Sequence, residues 1–255
     1  MGASIQNAVL LYLSERNFSV SHKKKRGCKM VAKNSKMKIK IRENGPYTVY
    51  GGVPLMEMIL VPDAEGLSIR WHKGKEYPIK EEYDLCRCGH SSTKPFCDLT
   101  HSEIFFDGSE SASREPFDSQ AEPKTVGPEM ELTDVLALCA LARFCDRAGG
   151  VWDNLRASDN PEARKITLQE VGDCPAGRLV LRDKAGNLIE PEFEPSIGLV
   201  LDPVVAELGP LWVRGGIPIE SSDGYVYEIR NRVTLCRCGK STNKPFCDGR
   251  HTNGK

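Results

Sequence analysis

The chain predicts an α+β, β-rich fold in which one small unit occurs twice around a different middle segment. Three observations carry that expectation. Cys236, Cys238, Cys247 and His251 fall in the order C-x-C-x8-C-x3-H, and Cys86, Cys88, Cys97 and His101 repeat the same order upstream. Outside the cysteines, Gly45-Pro46-Tyr47-Thr48-Val49-Tyr50-Gly51-Gly52-Val53-Pro54-Leu55 returns position by position as Gly209-Pro210-Leu211-Trp212-Val213-Arg214-Gly215-Gly216-Ile217-Pro218-Ile219, so the duplicated unit is larger than the cysteine loop. Between these landmarks run short stretches of alternating apolar and polar residues bounded by Gly and Pro, the pattern of half-buried strands.

Taken in order, residues 1–36 form a basic N-terminal extension, with Lys23, Lys24, Lys25, Arg26, Lys29 and Lys33 close together, and are expected to be disordered. The first repeat, 37–104, opens on the alternating run Met37-Lys38-Ile39-Lys40-Ile41, turns at Asn44-Gly45-Pro46 and continues through Tyr47–Tyr50 to the double glycine. A further strand is expected near Pro78-Ile79-Lys80, and in the second repeat near Tyr227-Glu228-Ile229. Residues 105–129 are rich in Ser, Glu, Asp and Pro and predict an irregular linker, anchored by Phe105 and Phe106. In the middle segment, 130–190, Thr133 reads as the cap of a helix running to Asp146, because Val135, Leu138, Ala142 and Cys145 recur at near-helical spacing before Gly149-Gly150. Arg178–Leu181 and Asn187–Glu190 flank Lys184-Ala185-Gly186 as a hairpin. A Pro-rich, extended passage from Glu190 to Gly209 then leads into the second repeat, which occupies 191–255.

Composition narrows the function classes. Thirty-five basic and thirty-five acidic residues leave no net charge to draw the chain to nucleic acid or anionic lipid. The apolar run Ala8–Leu13 is too short to span a bilayer. Six of ten cysteines lie in the two loops, where a C-x-C pair is too tight for an ordinary disulfide framework; this predicts metal ligation in a reducing, cytoplasmic setting. The chain contains no G-x-S-x-G, Walker or G-x-G-x-x-G motif, so it is not expected to be an enzyme.

Thiolates are soft, electron-rich donors. Three of them with one imidazole suit either a single tetrahedral zinc or the four terminal positions of a 2Fe-2S cluster. The one-residue gap in Cys236-Arg237-Cys238 allows both sulfurs on one iron and leaves Cys247 and His251 for a second, whereas structural zinc sites more often open with a gap of about two to four residues. Spacing alone leaves zinc open. Around the donors, Ser91 and Ser241 are candidates to bond sulfur or to cap the loop, and Pro95 and Pro245 to stiffen it. Asp98 and Asp248 stand where a helix carrying the histidine would begin.

Both loops resemble the CDGSH iron-sulfur domain family, whose signature is C-x-C-x2-(S/T)-x3-P-x-C-D-G-(S/A/T)-H. They match at every ligand position and at the Ser, Pro and Asp; Leu99 replaces the glycine in the first loop and Arg250 the small residue in the second. The resemblance covers roughly residues 37–101 and 205–252. It implies that Cys86, Cys88, Cys97 and His101 hold one 2Fe-2S cluster and Cys236, Cys238, Cys247 and His251 another. It also implies that the two units pair within one chain as a pseudo-dimer, with a β-rich cap and a small α+β insert. Such a chain passes electrons or clusters to a redox partner or an apo-acceptor protein; the competing reading is a zinc-stapled interaction module. Cys139-x5-Cys145 and Asp173-Cys174-Pro175-Ala176-Gly177 faintly resemble a divergent single-cluster ferredoxin domain. With three cysteines where a 4Fe-4S cluster ordinarily has four, the middle segment reads as a degenerate relic with buried, inert thiols.

Overall fold

The computed structural model describes residues 18–20, 36–205 and 207–252. Cys28 and the basic cluster at 23–33 lie outside the described residues; within the expected extension, Phe18–Val20 is a strand, β1. The first repeat contributes β2 (Lys38–Ile41), β3 (Tyr47–Tyr50), β4 (Leu55–Pro62), β5 (Ser68–Tyr77) and β6 (Glu82–Leu85), then a one-turn helix α1 (Thr100–Glu103). The linker holds α2 (Phe117–Gln120) and β7 (Thr125–Val126). The middle segment follows with β8 (Met130–Asp134), α3 (Val151–Arg156), α4 (Pro161–Asp173), β9 (Leu179–Asp183) and β10 (Leu188–Pro191). The second repeat supplies β11 (Ser196–Asp202), β12 (Glu207–Arg214), β13 (Ile219–Glu220) and β14 (Arg232–Leu235).

Each repeat lends a strand to the other. The order β13-β2-β3-β6 places a second-repeat strand parallel to β2, and β14-β12-β11-β4-β5 places a first-repeat strand parallel to β11. The crossing is symmetric in detail: Ile39 N donates to Pro218 O at 2.9 Å and Ile197 N to Pro54 O at 2.8 Å. The paired glycines make it possible. Gly51, Gly52, Gly215 and Gly216 all have positive φ, and a Cβ on Gly51 or Gly215 would lie 2.7 Å from Lys36 C or 2.5 Å from Pro195 N. One hydrophobic core therefore belongs to both units, with Ile39, Val49 and Leu85 packed among Leu199, Leu211 and Leu235. The expected intrachain pseudo-dimer is the observed architecture.

The symmetry ends at β4 and β5. This hairpin is long, whereas its second-repeat counterpart is two residues of β13 and a bridge from Glu220 to Val226. Its extra length buries Met58, Leu60 and Trp71 against Val200, Trp212 and Phe144, and Trp71 stacks on Trp212 with ring centroids 4.7 Å apart. Burying each such side chain contributes about 1.5–3 kcal/mol. On that platform the middle segment docks: Trp71 Nε1 donates to Asp173 O at 3.0 Å, Arg147 Nη1 to Ile69 O at 2.8 Å, and Arg143 grips Asp202 with two bonds of 2.8 Å. Its own sheet, β1-β10-β9-β8-β7, is antiparallel throughout and is covered by α3 and α4.

Several local expectations are corrected. No helix runs from Thr133 to Asp146: Thr133 sits in β8 opposite Val180, and two short 3-10 turns follow, Leu136–Leu138 and Phe144–Gly149. The apolar residues read as one helical face serve three separate contacts. Val135 and Leu138 pack with Phe117 and Val180, Ala142 against the tryptophan cluster, and Cys145 against the core of the middle segment. The long helix is α4, announced by Asn160, whose side chain accepts from Glu162 N and Ala163 N, and by Pro161 in its first turn. Residues 78–80 and 227–229 lie outside strands; the strands fall a few residues on, at β6 and β14. The passage from Glu190 to Gly209 holds β11. Phe106 anchors the linker by packing on Arg87, while Phe105 is 91 % exposed. No helix among the described residues is long and apolar enough to cross a membrane.

Candidate metal centres

Each cysteine loop is pinched shut by the strand before it. Leu85 bridges to Phe96 and Leu235 to Phe246; Cys86 N donates to Pro95 O at 2.9 Å and Cys97 N to Asp84 O at 3.0 Å, with Cys236 and Cys247 repeating these bonds to Pro245 O and Thr234 O. This closure brings the C-x-C corner beside the third cysteine. The loop serine completes it. Ser91 Oγ donates to Phe96 O at 2.6 Å and accepts from Thr93 N, and Ser241 does the same with Phe246 O at 2.7 Å and Asn243 N. Of the two roles open to the serines, capping the loop is the one their hydroxyls perform.

The aspartate ties the loop's arms together. Asp98 Oδ2 accepts from the backbone and hydroxyl of Ser92, both at 2.7 Å, while Oδ1 accepts from Thr100 N and Oγ1 at the start of α1, which carries His101. Those hydroxyl bonds, led by Thr100, hold its carboxyl well below the usual carboxylate range. Asp248 bonds Thr242 and Arg250 N in the same way; burial opposes its ionisation, but these bonds outweigh it and its carboxyl too is lowered. The formal cap of α1 is Leu99, in left-handed backbone at φ 72° and ψ 0°, so the aspartate acts from one residue earlier than expected.

The four donors of each loop come together as two pairs. Cys86 Sγ lies 3.8 Å from Cys88 Sγ, and Cys97 Sγ 3.3 Å from His101 Nδ1; in the second loop the corresponding separations are 3.7 Å and 3.5 Å. Among the described residues no three His, Cys, Asp or Glu side chains gather closely enough to hold one metal ion. Backbone N–H groups point at the sulfurs: His90 N at Cys88, Leu99 N at Cys97 and Gly249 N at Cys247, at 3.4–3.5 Å. Such donors favour thiolate, whereas burial pushes the Cys97 and Cys247 thiols up; a bound cation removes that penalty. Between Cys236 and Cys238, donation from the latter holds the Cys236 thiol below its ordinary value.

The residue inside each C-x-C was unassigned by sequence reasoning. Arg87 and Arg237 are buried, and their guanidiniums bond backbone carbonyls, Arg42 and Gly108 for the first, Gly209 and Val200 for the second. They fix the corner from beneath and bring positive charge toward the thiols. Gly89 and Gly239 face the opposite loop: a Cβ on Gly89 would lie 2.7 Å from Cys238 O, and one on Gly239 2.5 Å from Cys88 O. The two sites therefore meet backbone to backbone. Tyr47 adds a crossing bond, donating to Cys236 O at 2.7 Å.

In the middle segment, Cys139, Cys145 and Cys174 line a single cavity together with Arg178. None of the three is fully buried; Cys145 lies in the 3-10 turn Phe144–Gly149, and Cys139 and Cys174 lie in the loops beside it. Arg178 pairs with Asp134 at 3.0 Å and feels the charge of all three sulfurs. The three thiols share one cavity but do not gather closely enough to hold one metal ion. The readable signal was the Cys-Pro-Ala-Gly run after α4.

Two cysteine-histidine loops and a three-cysteine cavity define a protein that binds iron-sulfur clusters. Residues 44–102 and 208–252 match the model of the family described as iron-binding zinc finger, CDGSH type, and residues 125–184 match that of the divergent 4Fe-4S mono-cluster domain. The chain thus carries two CDGSH-type domains in tandem, with the 4Fe-4S-type segment between them. No curated protein matches it.

Proposed function

We propose that the chain is a multi-cluster carrier. Cys86, Cys88, Cys97 and His101 hold one 2Fe-2S cluster, Cys236, Cys238, Cys247 and His251 a second, and Cys139, Cys145 and Cys174 a 4Fe-4S-type centre. The pairing of donors, two by two in both loops, carries this reading. One tetrahedral zinc would draw all four donors to a common point, whereas two bridged irons take two each. Bound clusters supply one-electron chemistry. With one neutral histidine in place of a thiolate, the potential is expected between roughly −400 mV for all-cysteine plant-type centres and the roughly −150 to +300 mV of two-histidine centres.

The protein's own part is to hold, shield and present. Backbone N–H groups bond the ligand sulfurs, Arg87 and Arg237 fix the C-x-C corners, and Asp98 and Asp248 hold the segments that carry the histidines. Function is then transfer, of electrons to a redox partner or of clusters to an apo-acceptor, without catalysis by the chain itself. All nine described cysteines are free thiols, in keeping with a reducing compartment such as the cytoplasm. Iron, sulfide and zinc measured per chain after anaerobic purification test the proposal. A coloured protein with iron and sulfide in excess of two 2Fe-2S clusters supports it; a colourless, zinc-loaded protein overturns it in favour of the interaction module.

A further inference from the structure

The two cysteine-histidine sites share donors and closely similar hydrogen bonds, yet among the described residues it is the second that the middle segment packs against. A Cβ on Gly249 would lie 2.6 Å from Leu141 Cγ and 3.1 Å from Cys139 O. Cys247 is packed with Ala140, Ala176 and Cys174, and Asn243 Nδ2 donates to Ala137 O at 3.0 Å. His251 is 4 % and Cys247 2 % exposed, while Cys97 and His101 are half-buried and Leu99, at the position of Gly249, stands 68 % exposed. The cover is itself held down: Arg143, two residues beyond Leu141, is locked to Asp202 and donates to Gly66 O at 3.0 Å, and Phe144 is buried beneath.

We propose that the stretch Ala137–Leu141 is a fixed cover that divides the labour of the two sites. The Cys97–His101 centre is the one that exchanges with the outside, and the Cys247–His251 centre is retained, with Leu141 as the residue that sets the difference. Leu141 has φ 53°, a conformation glycine adopts without cost, so the position is occupied by leucine against its backbone preference. Its side chain is 41 % exposed and lies against Gly249. The proposal rests on both loops holding a cluster, but the cover belongs to the polypeptide and is testable without metal.

The test has two arms, both on the full chain. In the metal-free, reduced protein, maleimide modification followed residue by residue by mass spectrometry is expected to reach Cys97 early and Cys247 late. Leu141→Gly, which suits the backbone and removes only the covering side chain, should bring Cys247 forward and leave Cys97 unchanged. In the reconstituted protein, release of iron from the two cysteine-histidine sites to a ferrous chelator is expected in a fast and a slow step. The fast step should be lost in Cys97→Ala, and the two should merge in Leu141→Gly. Equal modification of Cys97 and Cys247 in the wild type, or no change on Leu141→Gly, overturns the cover. Failure to bind iron would sink the cluster reading and the exchange roles with it, while the maleimide arm still decides whether the cover exists.

Discussion

Cys97 with His101 and Cys247 with His251 are held by closely similar hydrogen bonds and differ most in what lies outside them. In the first loop the residue after the aspartate is Leu99, in left-handed backbone and facing solvent; in the second it is Gly249, in the same conformation and pressed against Leu141. The donor geometry is thus set inside the loop, by Ser, Asp and the strand bridge, while accessibility is set by a segment from elsewhere in the chain. Ligation and exposure are separable properties here.

Making the second loop like the first is the harshest way to break the comparison. Gly249→Leu forces a side chain into Leu141 at positive φ and is expected to cost about 2–5 kcal/mol, read as a lower midpoint of chemical denaturation. Next come the glycines between the sites. Gly239→Ala and Gly89→Ala each drive a Cβ into the opposite C-x-C backbone at positive φ, so each should lose about 2–4 kcal/mol, and each should reduce the iron held at both sites rather than at its own alone.

The middle segment has a titrating element of its own. Glu170 in α4 is buried, and burial pushes its carboxyl up to about 8 despite the nearby Arg147 and a bond from Asn154; the charge of Asp146 adds to the rise. Its favourable contribution is full below the ordinary value of 4.5 and is lost as pH rises toward about 8, because the unfolded chain ionises first. Thermal unfolding should therefore show wild-type stability falling across that window relative to Glu170→Gln; parallel profiles would mean that the carboxyl is not desolvated. The smallest effect is expected for Leu99→Gly. Relief of left-handed backbone at an exposed residue should raise stability by about 1 kcal/mol without altering iron content, the opposite sign to the change at Gly249.

What could be read from the sequence follows the range of the interactions. The ligand loops, β2, β3 and the hairpin of β9 and β10 depend on local spacing and turn chemistry, and Ser91, Asp98 and their counterparts bond within a few residues of themselves. The exchange of β4 and β13 depends on partners far along the chain and left only Gly51-Gly52 and Gly215-Gly216 as a trace. The helix expected over 133–146 failed because Val135 with Leu138, Ala142, and Cys145 belong to three different clusters, a pattern that mimics one face. The common cavity of Cys139, Cys145 and Cys174 was not legible, because Cys174 reaches it from 29 residues farther along the chain than Cys145.

The reciprocal loan of strands bears on how the molecule could be divided. Cut in the linker, each fragment would keep its loop but present an unpaired edge where the borrowed strand had been, a template for another chain. A lone second-repeat fragment could meet that need with another copy of itself, each giving its strand to the other around a two-fold axis, and mixing the two fragments should reassemble the original pair.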